Sequence, residues 1–383
     1  MKKVISLILA VLCMTLAALP FSVSAGESAK TVYADDIEMA VMPGKTGGNA
    51  SSSYEISSEG LKINQAMKFP AVLYNGMSNW NVETLTDYSI TMKMKTTVPT
   101  TGYWLMLGFG KGNLTSIDST ANFAAIKNRI GICVRDAQLA IKNWNDATEV
   151  VYNSANDDAL ADSIRGGSEV TYVLEVKSSV LAKITISNGI VSQSYELDYN
   201  GTADDKSVVN GISVTPDYFG YAWGYAWNDN TSSGSSAKYI NSVVSSLSVE
   251  GNGNTTYSLD YADLNKCYAT VMGGQLSNDK TTFRILSGIK LSEAQLSSYT
   301  SHGFEISLKD STKGAKTLQS SVVYTSVQAA GATVNATDGY LGAMTVTGLS
   351  ADKDYTFIVR AFVVDAAGNK YMSNAVEIST AQS

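Results

Sequence analysis

Residues 88–95 read Tyr-Ser-Ile-Thr-Met-Lys-Met-Lys, and this alternation of apolar and polar side chains decides the fold class. The same period of two returns at Tyr172-Val-Leu-Glu-Val-Lys177 and at Phe304-Glu-Ile-Ser-Leu-Lys309. Strict alternation is typical of strands with one buried and one solvated face, as in antiparallel sandwiches. We therefore predict an all-β protein, with helix confined to a turn or two at residues 156–164 and 292–299.

The amino terminus has the pattern of an export signal. Lys2 and Lys3 precede a nearly continuous apolar run over residues 4–21, and the small residues of Val23-Ser24-Ala25 follow. We predict that residues 1–25 are a secretory signal peptide, that no membrane span remains after its cleavage, and that the protein is secreted and extracellular. The short Lys-Lys start and the few cysteines favour a bacterial exported protein.

Charge and cysteine content narrow the classes of partner. Loss of Lys2 and Lys3 lowers the formal net charge from −7 to −9. An acidic chain repels nucleic acid phosphates, so we expect no nucleic acid partner. Cys133 and Cys267 fall in different predicted domains, so we expect no disulfide within a domain.

A change of composition marks a domain boundary. Gly and Asn alternate at 251–254, directly after a strand-like Val-Ser-Ser-Leu-Ser-Val run, and all five tryptophans precede this seam. We predict a large sandwich over residues 31–250, a linker at 251–254 and a smaller sandwich over residues 255–381.

The closing part of the second domain is Val346-Thr-Gly-Leu-Ser-Ala-Asp-Lys-Asp-Tyr-Thr-Phe-Ile-Val-Arg-Ala-Phe362. It resembles a fibronectin type III module, with Leu349, Tyr355 and the Arg360-Ala361 strand end at the matching positions. The resemblance implies that the Tyr355 ring lies at a strand corner while its hydroxyl bonds back to the chain. It also implies a core containing Phe357, Val359 and Ala361, and a role as spacer or protein-contact unit.

The first domain resembles a concanavalin/laminin-G-like jelly roll. The resemblance rests on Gly60-Leu-Lys-Ile63, on the strand at 87–95, on Gly131-Ile-Cys-Val134 and on the final strand over residues 240–250. It implies a large antiparallel sandwich of two sheets.

The most unusual stretch lies between Asp217 and Asn230. In an extended chain five of its aromatic residues share one face, namely Phe219, Tyr221, Trp223, Tyr225 and Trp227, and the Gly or Ala residues at 220, 222, 224 and 226 occupy the other. Such rings stack on the apolar faces of sugars, and the polar residues that follow supply hydrogen bonds or oxygen ligands for a structural calcium ion. The predicted ligand-binding residues are Tyr221, Trp223, Tyr225, Trp227, Asn228, Asp229 and, in a separate polar stretch, Trp144.

The alternative is that two or three of these rings belong to the sandwich core. Trp104, among Leu105, Met106 and Leu107, is expected to be a core residue in a buried strand. Trp144, between Asn143 and Asn145, is expected on a loop or edge.

Recognisable catalytic patterns are missing from the sequence. His302 is the only histidine, which leaves no triad or His-rich metal cluster, and we expect it in a solvated turn. Glu175 stands alone on its strand, and Asp157-Asp158 and Asp204-Asp205 are expected to be loop charges. A strand with Glu-x-Asp-x-x-Glu, as in one glycoside hydrolase family of this fold, is absent.

The sequence therefore predicts a non-enzymatic, secreted carbohydrate-binding or adhesion protein without a cofactor other than structural calcium. Its partner would be a polysaccharide or a cell-surface glycan. Two alternatives stay open. One is an extracellular structural protein that contacts other proteins without binding sugar, and the other is a diverged glycoside hydrolase or lyase.

Overall fold

The computed structural model describes residues 29–41, 54–63, 71–75, 85–97, 103–109, 129–135, 138–143, 149–152, 154–198, 209–210, 212–213, 221–224, 241–311, 314–319, 323–329 and 332–381. The strands that precede the second sandwich are, in chain order, β1 (Thr31–Tyr33), β2 (Ile37–Val41), β3 (Tyr54–Ser57), β4 (Gly60–Ile63), β5 (Ala71–Asn75), β6 (Tyr88–Thr97), β7 (Tyr103–Phe109), β8 (Arg129–Arg135), β9 (Gln138–Asn143), β10 (Glu149–Val151), β11 (Glu169–Lys177), β12 (Val180–Ser187), β13 (Ser192–Asp198), β14 (Val209–Asn210), β15 (Ile212–Ser213), β16 (Tyr221–Gly224), β17 (Asn241–Gly251) and β18 (Asn254–Asp260).

The later strands are β19 (Ala269–Leu276), β20 (Thr282–Ile289), β21 (Tyr299–Leu308), β22 (Lys316–Gln319), β23 (Val323–Tyr324), β24 (Ser326–Ala329), β25 (Ala332–Asn335), β26 (Tyr340–Thr347), β27 (Thr356–Asp365), β28 (Lys370–Met372) and β29 (Val376–Ser379). Helix α1 spans Ala155–Arg165 and helix α2 spans Glu293–Leu296, at the two places where the sequence predicts helix. Two short 3-10 helices span Ala34–Asp36 and Tyr261–Lys266.

Two sheets form the large sandwich. In the described part of the chain, the first has ten strands in the order β14-β13-β12-β11-β6-β17-β4-β3, with β15 beside β12 and β18 beside β17. The second has seven, in the order β10-β9-β8-β7-β16-β5-β2. Buried residues of both sheets belong to one hydrophobic cluster, which also includes the buried residues of the smaller sandwich.

The alternation that predicts the fold is confirmed in β6. Ile90, Met92 and Met94 are fully buried, while Lys93 and Lys95 are exposed. Each fully buried side chain of this size contributes about 1.5–3 kcal/mol of apolar transfer energy. The large core is therefore built from one face of each strand, as period two requires.

Helix α1 contacts strands of both large sheets, β8 and β9 on one side and β6, β11 and β13 on the other. Its amino terminus is a capping box, in which the Ser154 side chain accepts from the Asp157 amide and Asp157 accepts from the Ser154 amide. Asp157 is only 1% exposed, which corrects the expectation of a loop charge. The cause is local: an acid three residues after the N-cap serine satisfies helix-end amides.

Residues 251–254 form the turn of a hairpin and not a linker. β17 pairs with β18 across this turn, and β18 stays in the ten-stranded sheet. Asn252 and Gly253 both have positive φ, of 53° and 75°, which is the backbone that a two-residue hairpin turn requires. The chain passes on through the 3-10 helix Tyr261–Lys266, which contacts β3, β4 and β17 as well as β1 and β28.

The smaller sandwich has the strand order of an immunoglobulin-type fold. Within the described residues, β19-β20-β26-β23 form one sheet, and β28-β27-β21-β22 form the other, with β29 also on β27 and β1 added at the β28 edge. Phe283 and Phe357 stack between the sheets with ring centroids 5.6 Å apart. Phe357, Val359 and Ala361 are all buried, as the sequence predicts. The fold is therefore all-β, with a large antiparallel sandwich and a smaller one.

Candidate functional site

The strand Tyr221–Gly224 begins the predicted aromatic stripe, and it lies inside the seven-stranded sheet. β16 pairs antiparallel with β5 on one side and with β7 on the other. Trp223 aligns with Leu107 of β7, and Tyr221 aligns with Phe109. An interior strand of this kind has its backbone groups paired on both sides, so the position of this stretch is set by two neighbours.

The register relates these positions to the next strands of the sheet. Leu107 shares its face with Leu105, which aligns with Ile132 of β8. Ile132 is 2% exposed and belongs to the core cluster. Through β7 the register therefore links positions 221 and 223 to the strand β8 that carries Ile132. That two or three rings of the stripe belong to the core stays a prediction.

The remaining stripe residues, Tyr225, Trp227, Asn228 and Asp229, lie outside the described residues. β16 ends at Gly224, which aligns with Val72 near the start of β5 and with Met106 in the middle of β7. The predicted ligand-binding segment therefore follows directly from the end of an interior strand.

Trp144 also lies outside the described residues, and it follows the end of β9 at Asn143. Strands β8 and β7 separate β9 from β16, and each neighbouring pair is antiparallel. β9 and β16 consequently run in opposite directions, and their carboxyl ends point to opposite ends of the sheet. The strand directions do not bring Trp144 together with the segment after Gly224.

Within the described ranges, no group of three or more His, Cys, Asp or Glu residues could hold a metal ion. Asn228 and Asp229, the residues predicted to bind calcium, lie outside those ranges, so the calcium site stays a prediction.

The most buried acid of the large sandwich has a structural partner. The Tyr195 hydroxyl donates a hydrogen bond to Asp157, and the Tyr152 ring meets Tyr195 edge-on with centroids 4.2 Å apart. Burial, and then the hydrogen bond to Asp157, raise the pKa of Tyr195 above its ordinary value. Asp157 therefore fixes helix α1 to β13 and has no open side toward a substrate among the described residues.

His302 lies in strand β21 and not in a solvated turn. It shares its face with Phe304 and Ile306, which are core residues, and its Nδ1 atom is buried without a hydrogen-bond partner among the described residues. Burial lowers the pKa of His302 below its ordinary value. The sequence signal for this placement is the period of two that joins His302 to Phe304 and Ile306. The polar residue Ser301 before it indicated a turn instead.

A cleft of about 370 Å³ opens on the smaller sandwich, and the sequence did not predict it. Its lining combines both charges with one aromatic residue and consists of Lys290, Leu291, Ser292, Glu293, Thr325, Asp338, Gly339 and Tyr340. Gly339 has φ of +114°, and a Cβ there would lie 2.1 Å from the Ile289 carbonyl oxygen. The floor of the cleft thus depends on a close backbone approach that only glycine permits.

Charged residues also meet beside Lys30, near the first of the described residues. Lys30 and Lys266 both pair with Asp263, which is only 3% exposed, and the Lys266 contact is 2.7 Å. Burial acts to raise the pKa of Asp263, but hydrogen bonds from Lys266 and Lys30 outweigh it and lower that pKa. Cys267 is a free thiol beside this cluster, and its pKa is raised to about 12 by burial and by Asp36.

No helix in the described part of the chain is long and apolar enough to cross a membrane.

No protein-family model matches this chain, and the curated proteins contain no match. Solved structures give distant similarities. The binding domain of botulinum neurotoxin DC, in complex with rat synaptotagmin II, is 10% identical, with 86% of this chain and 81% of that chain covered and a TM-score of 0.30.

A second structure concerns botulinum neurotoxin type C and its interaction with two ganglioside molecules. It is 10% identical, with 89% of this chain and 87% of that chain covered and a TM-score of 0.27. A purple acid phosphatase from yellow lupin (Lupinus luteus) seeds is 8% identical, with 92% and 41% covered and a TM-score of 0.24. At these TM-scores the similarities carry no argument, and the fold rests on the strands and sheets themselves.

Proposed function

We propose that this chain is an exported, non-catalytic carbohydrate-binding or adhesion protein. Its large sandwich would bind a polysaccharide or a cell-surface glycan through the aromatic segment that follows β16. The smaller sandwich, a fibronectin type III-like module, would hold the binding unit away from other structures. Calcium held by Asn228 and Asp229 belongs to the same proposal.

The observation that carries the proposal is the position of β16 inside the seven-stranded sheet. Because Gly224 is paired on both sides, Tyr225 and Trp227 follow in the chain from a backbone point that is held between Val72 of β5 and Met106 of β7. A binding residue is most precise when a rigid element positions it. Flat aromatic rings give a large contact area at a small entropy cost, which suits the apolar face of a sugar.

We propose two roles for the stripe. Tyr221 and Trp223, which lie in a strand paired on both sides, would support the sheet. Trp227, with Tyr225, Asn228 and Asp229, would contact the glycan. This division is testable because the two tryptophans respond to different treatments.

The test is tryptophan fluorescence of the exported chain against a panel of soluble plant and microbial polysaccharides, with and without EDTA. We expect a saturable blue shift with at least one glycan, loss of that shift in Trp227→Ala, and loss of stability in Trp223→Ala. Loss of the shift in EDTA would support the calcium ion. Unchanged binding by a folded Trp227→Ala protein would contradict the proposed site.

A second candidate function is protein contact, and Ile190 favours it. This side chain is 91% exposed at the tip of the β12–β13 hairpin. The Asn188 side chain accepts hydrogen bonds from the amides of Ile190 and Val191 and donates one to Ser163 of α1, so the tip is held rigidly. Because the tip is already held rigidly, its contact with another protein would cost little ordering entropy. Absence of binding across the whole glycan panel, together with partner capture that Ile190→Asp abolishes, would support this candidate.

A further inference from the structure

The edge of β28 in the smaller sandwich is covered by the strand β1. β1 pairs in parallel with β28, with Thr31 aligned to Lys370 and Val32 to Tyr371. The Lys370 amide donates to the Lys30 carbonyl at 2.9 Å, and the Lys30 amide donates to the Asn369 side chain at 3.2 Å. An extended segment laid along a sheet edge is the geometry of β-strand addition, in which main-chain hydrogen bonds supply affinity.

Side chains of the added strand alternate between two surfaces. Val32 is 2% exposed and aligns with Tyr371, which is 1% exposed, so this face of the strand enters the core. Tyr33 points to the other face, where the Arg360 guanidinium lies 5.0 Å from the centre of its ring. A guanidinium over a tyrosine ring is an attractive cation–π contact.

Charged contacts fix both ends of the segment. Lys30 pairs with the buried Asp263 at one end. At the other end, Arg360 donates to Asp35 with Nη1 2.6 Å from the carboxylate oxygen. The surface therefore favours a segment with four features. These are a basic residue, a buried aliphatic residue two positions later, an aromatic residue directly after it, and an acid two positions further on.

We propose that the edge of β28, with Asp263, Tyr371 and Arg360, is a strand-binding groove for a segment of this pattern, extended up to its aromatic residue and turning into a short 3-10 helix at its acid. Residues 29–36 of the same chain fill it. β28 and Arg360 belong to the smaller sandwich and Asp263 to the connecting 3-10 helix, whereas the segment continues directly into β2 of the large sandwich, so the occupied groove fastens the two sandwiches together. The tether gives the segment a high effective concentration, and a free copy of it binds only after the tethered copy is released.

The test uses a labelled peptide of residues 26–36 and fluorescence anisotropy with the exported chain. Val32→Asp places a charge in the core-facing position and releases the tethered segment. We expect the peptide to bind this variant at least about tenfold more tightly than the wild type, whose groove is occupied. The same peptide with Asp35→Asn should bind about tenfold more weakly, because one charge-assisted hydrogen bond is lost. A scrambled peptide should not bind.

Equal binding to the wild type and to Val32→Asp, or no binding to a Val32→Asp chain that keeps its far-ultraviolet circular dichroism, would overturn the proposal. Asp35→Asn gives a second measurement that does not depend on the folding of Val32→Asp. In Asp35→Asn we expect hydrogen exchange at the amides of residues 370–372 to become about tenfold faster, because the edge opens locally.

The matched control is Glu175→Gln. The Glu175–Lys183 pair has the same 2.6 Å distance as Arg360–Asp35 and similar exposure, but it joins β11 to β12 in the large sandwich. Exchange at 370–372 should not change in this control. Unchanged exchange there in Asp35→Asn would count against the groove.

Discussion

Arg360 and Asp35 form an ion pair with Nη1 and Oδ1 2.6 Å apart, although 325 residues separate them in the chain. Arg360 also donates to the Ser373 carbonyl at 2.9 Å. One guanidinium therefore links β27, the chain after β28 and the 3-10 helix that follows β1. Loss of the Arg360 guanidinium should weaken the contact between the two sandwiches. It should also lower the stability of the smaller sandwich.

We expect Arg360→Gln to lower the free energy of unfolding by about 1–3 kcal/mol, the range for hydrogen bonds to charged groups. Arg360→Lys should lower it by less, because it keeps the charge but loses the planar set of donors. Urea unfolding followed by tryptophan fluorescence and circular dichroism measures both. Lys309→Gln is the control, since the Lys309–Glu377 pair is solvent-exposed and should contribute nothing measurable. Equal losses in Arg360→Gln and Lys309→Gln would contradict the assigned role.

Asp157 should be the most sensitive acid of the large sandwich. Asp157→Ala removes half of the capping box and leaves the buried Tyr195 hydroxyl without its acceptor. We expect a loss of about 3 kcal/mol in unfolding free energy. Asp158→Ala, at the neighbouring exposed position, should change it by less than about 0.5 kcal/mol. Thermal or urea unfolding that ranks the two variants the other way would contradict the buried cap.

His302 predicts a specific pH dependence. Burial lowers the pKa of its imidazole in the folded state below the ordinary 6.5, so the unfolded chain binds the proton more tightly. The stabilisation that the neutral ring gives is complete above pH 6.5 and is lost as the pH falls through the lower folded pKa. Because His302 is the only histidine, a slope between pH 5 and 7 can be assigned to it.

The measurement is the free energy of urea unfolding at half-unit steps from pH 5 to 8. His302→Gln should flatten the slope in that window and leave the steeper loss at lower pH, where carboxylates titrate. A wild-type curve as flat as the variant's would show that the imidazole is solvated.

Tyr355 closes a corner of the smaller sandwich, as the sequence predicts. Its hydroxyl accepts a hydrogen bond from the Ser350 amide at 3.1 Å, and its ring stacks on Phe357 with centroids 6.0 Å apart. Tyr355→Phe keeps the stacking and removes the acceptor, so we expect a loss of about 1 kcal/mol. Tyr340→Phe serves as control, because no hydrogen bond of its hydroxyl is found within the described residues. A melting temperature that falls equally in both variants would argue against the corner bond.

The sequence predicts those features that depend on neighbours along the chain. Period-two alternation places the buried faces of β6, β11 and β27, and the tyrosine corner follows from a local pattern. Asn252-Gly253 was interpreted as a linker, although the same pair is a strong hairpin signal when strands flank it. Recognising this hairpin requires knowing that the strand after Gly253 pairs in the same sheet as the strand before Asn252.

Other features depend on contacts between distant segments. The pairing of Val32 with Tyr371 and that of Asp35 with Arg360 leave no periodic pattern, so a three-residue strand at the start of the chain could not be assigned to the last sheet. The aromatic stripe shows the same difficulty. Its composition indicates a binding surface, but the pairing of positions 221 and 223 with Phe109 and Leu107 inside the seven-stranded sheet does not follow from composition.

The most direct test of the proposed glycan site compares Trp223→Phe with Trp227→Phe, two conservative changes on either side of the end of β16. The measurement is the fluorescence change of each variant on titration with the glycan that the wild type binds, alongside quenching by acrylamide. We predict that Trp227→Phe loses the glycan-induced shift and the most quenchable emission, while Trp223→Phe retains both. A shift that persists in Trp227→Phe and disappears in a folded Trp223→Phe protein would contradict the proposed division of the stripe.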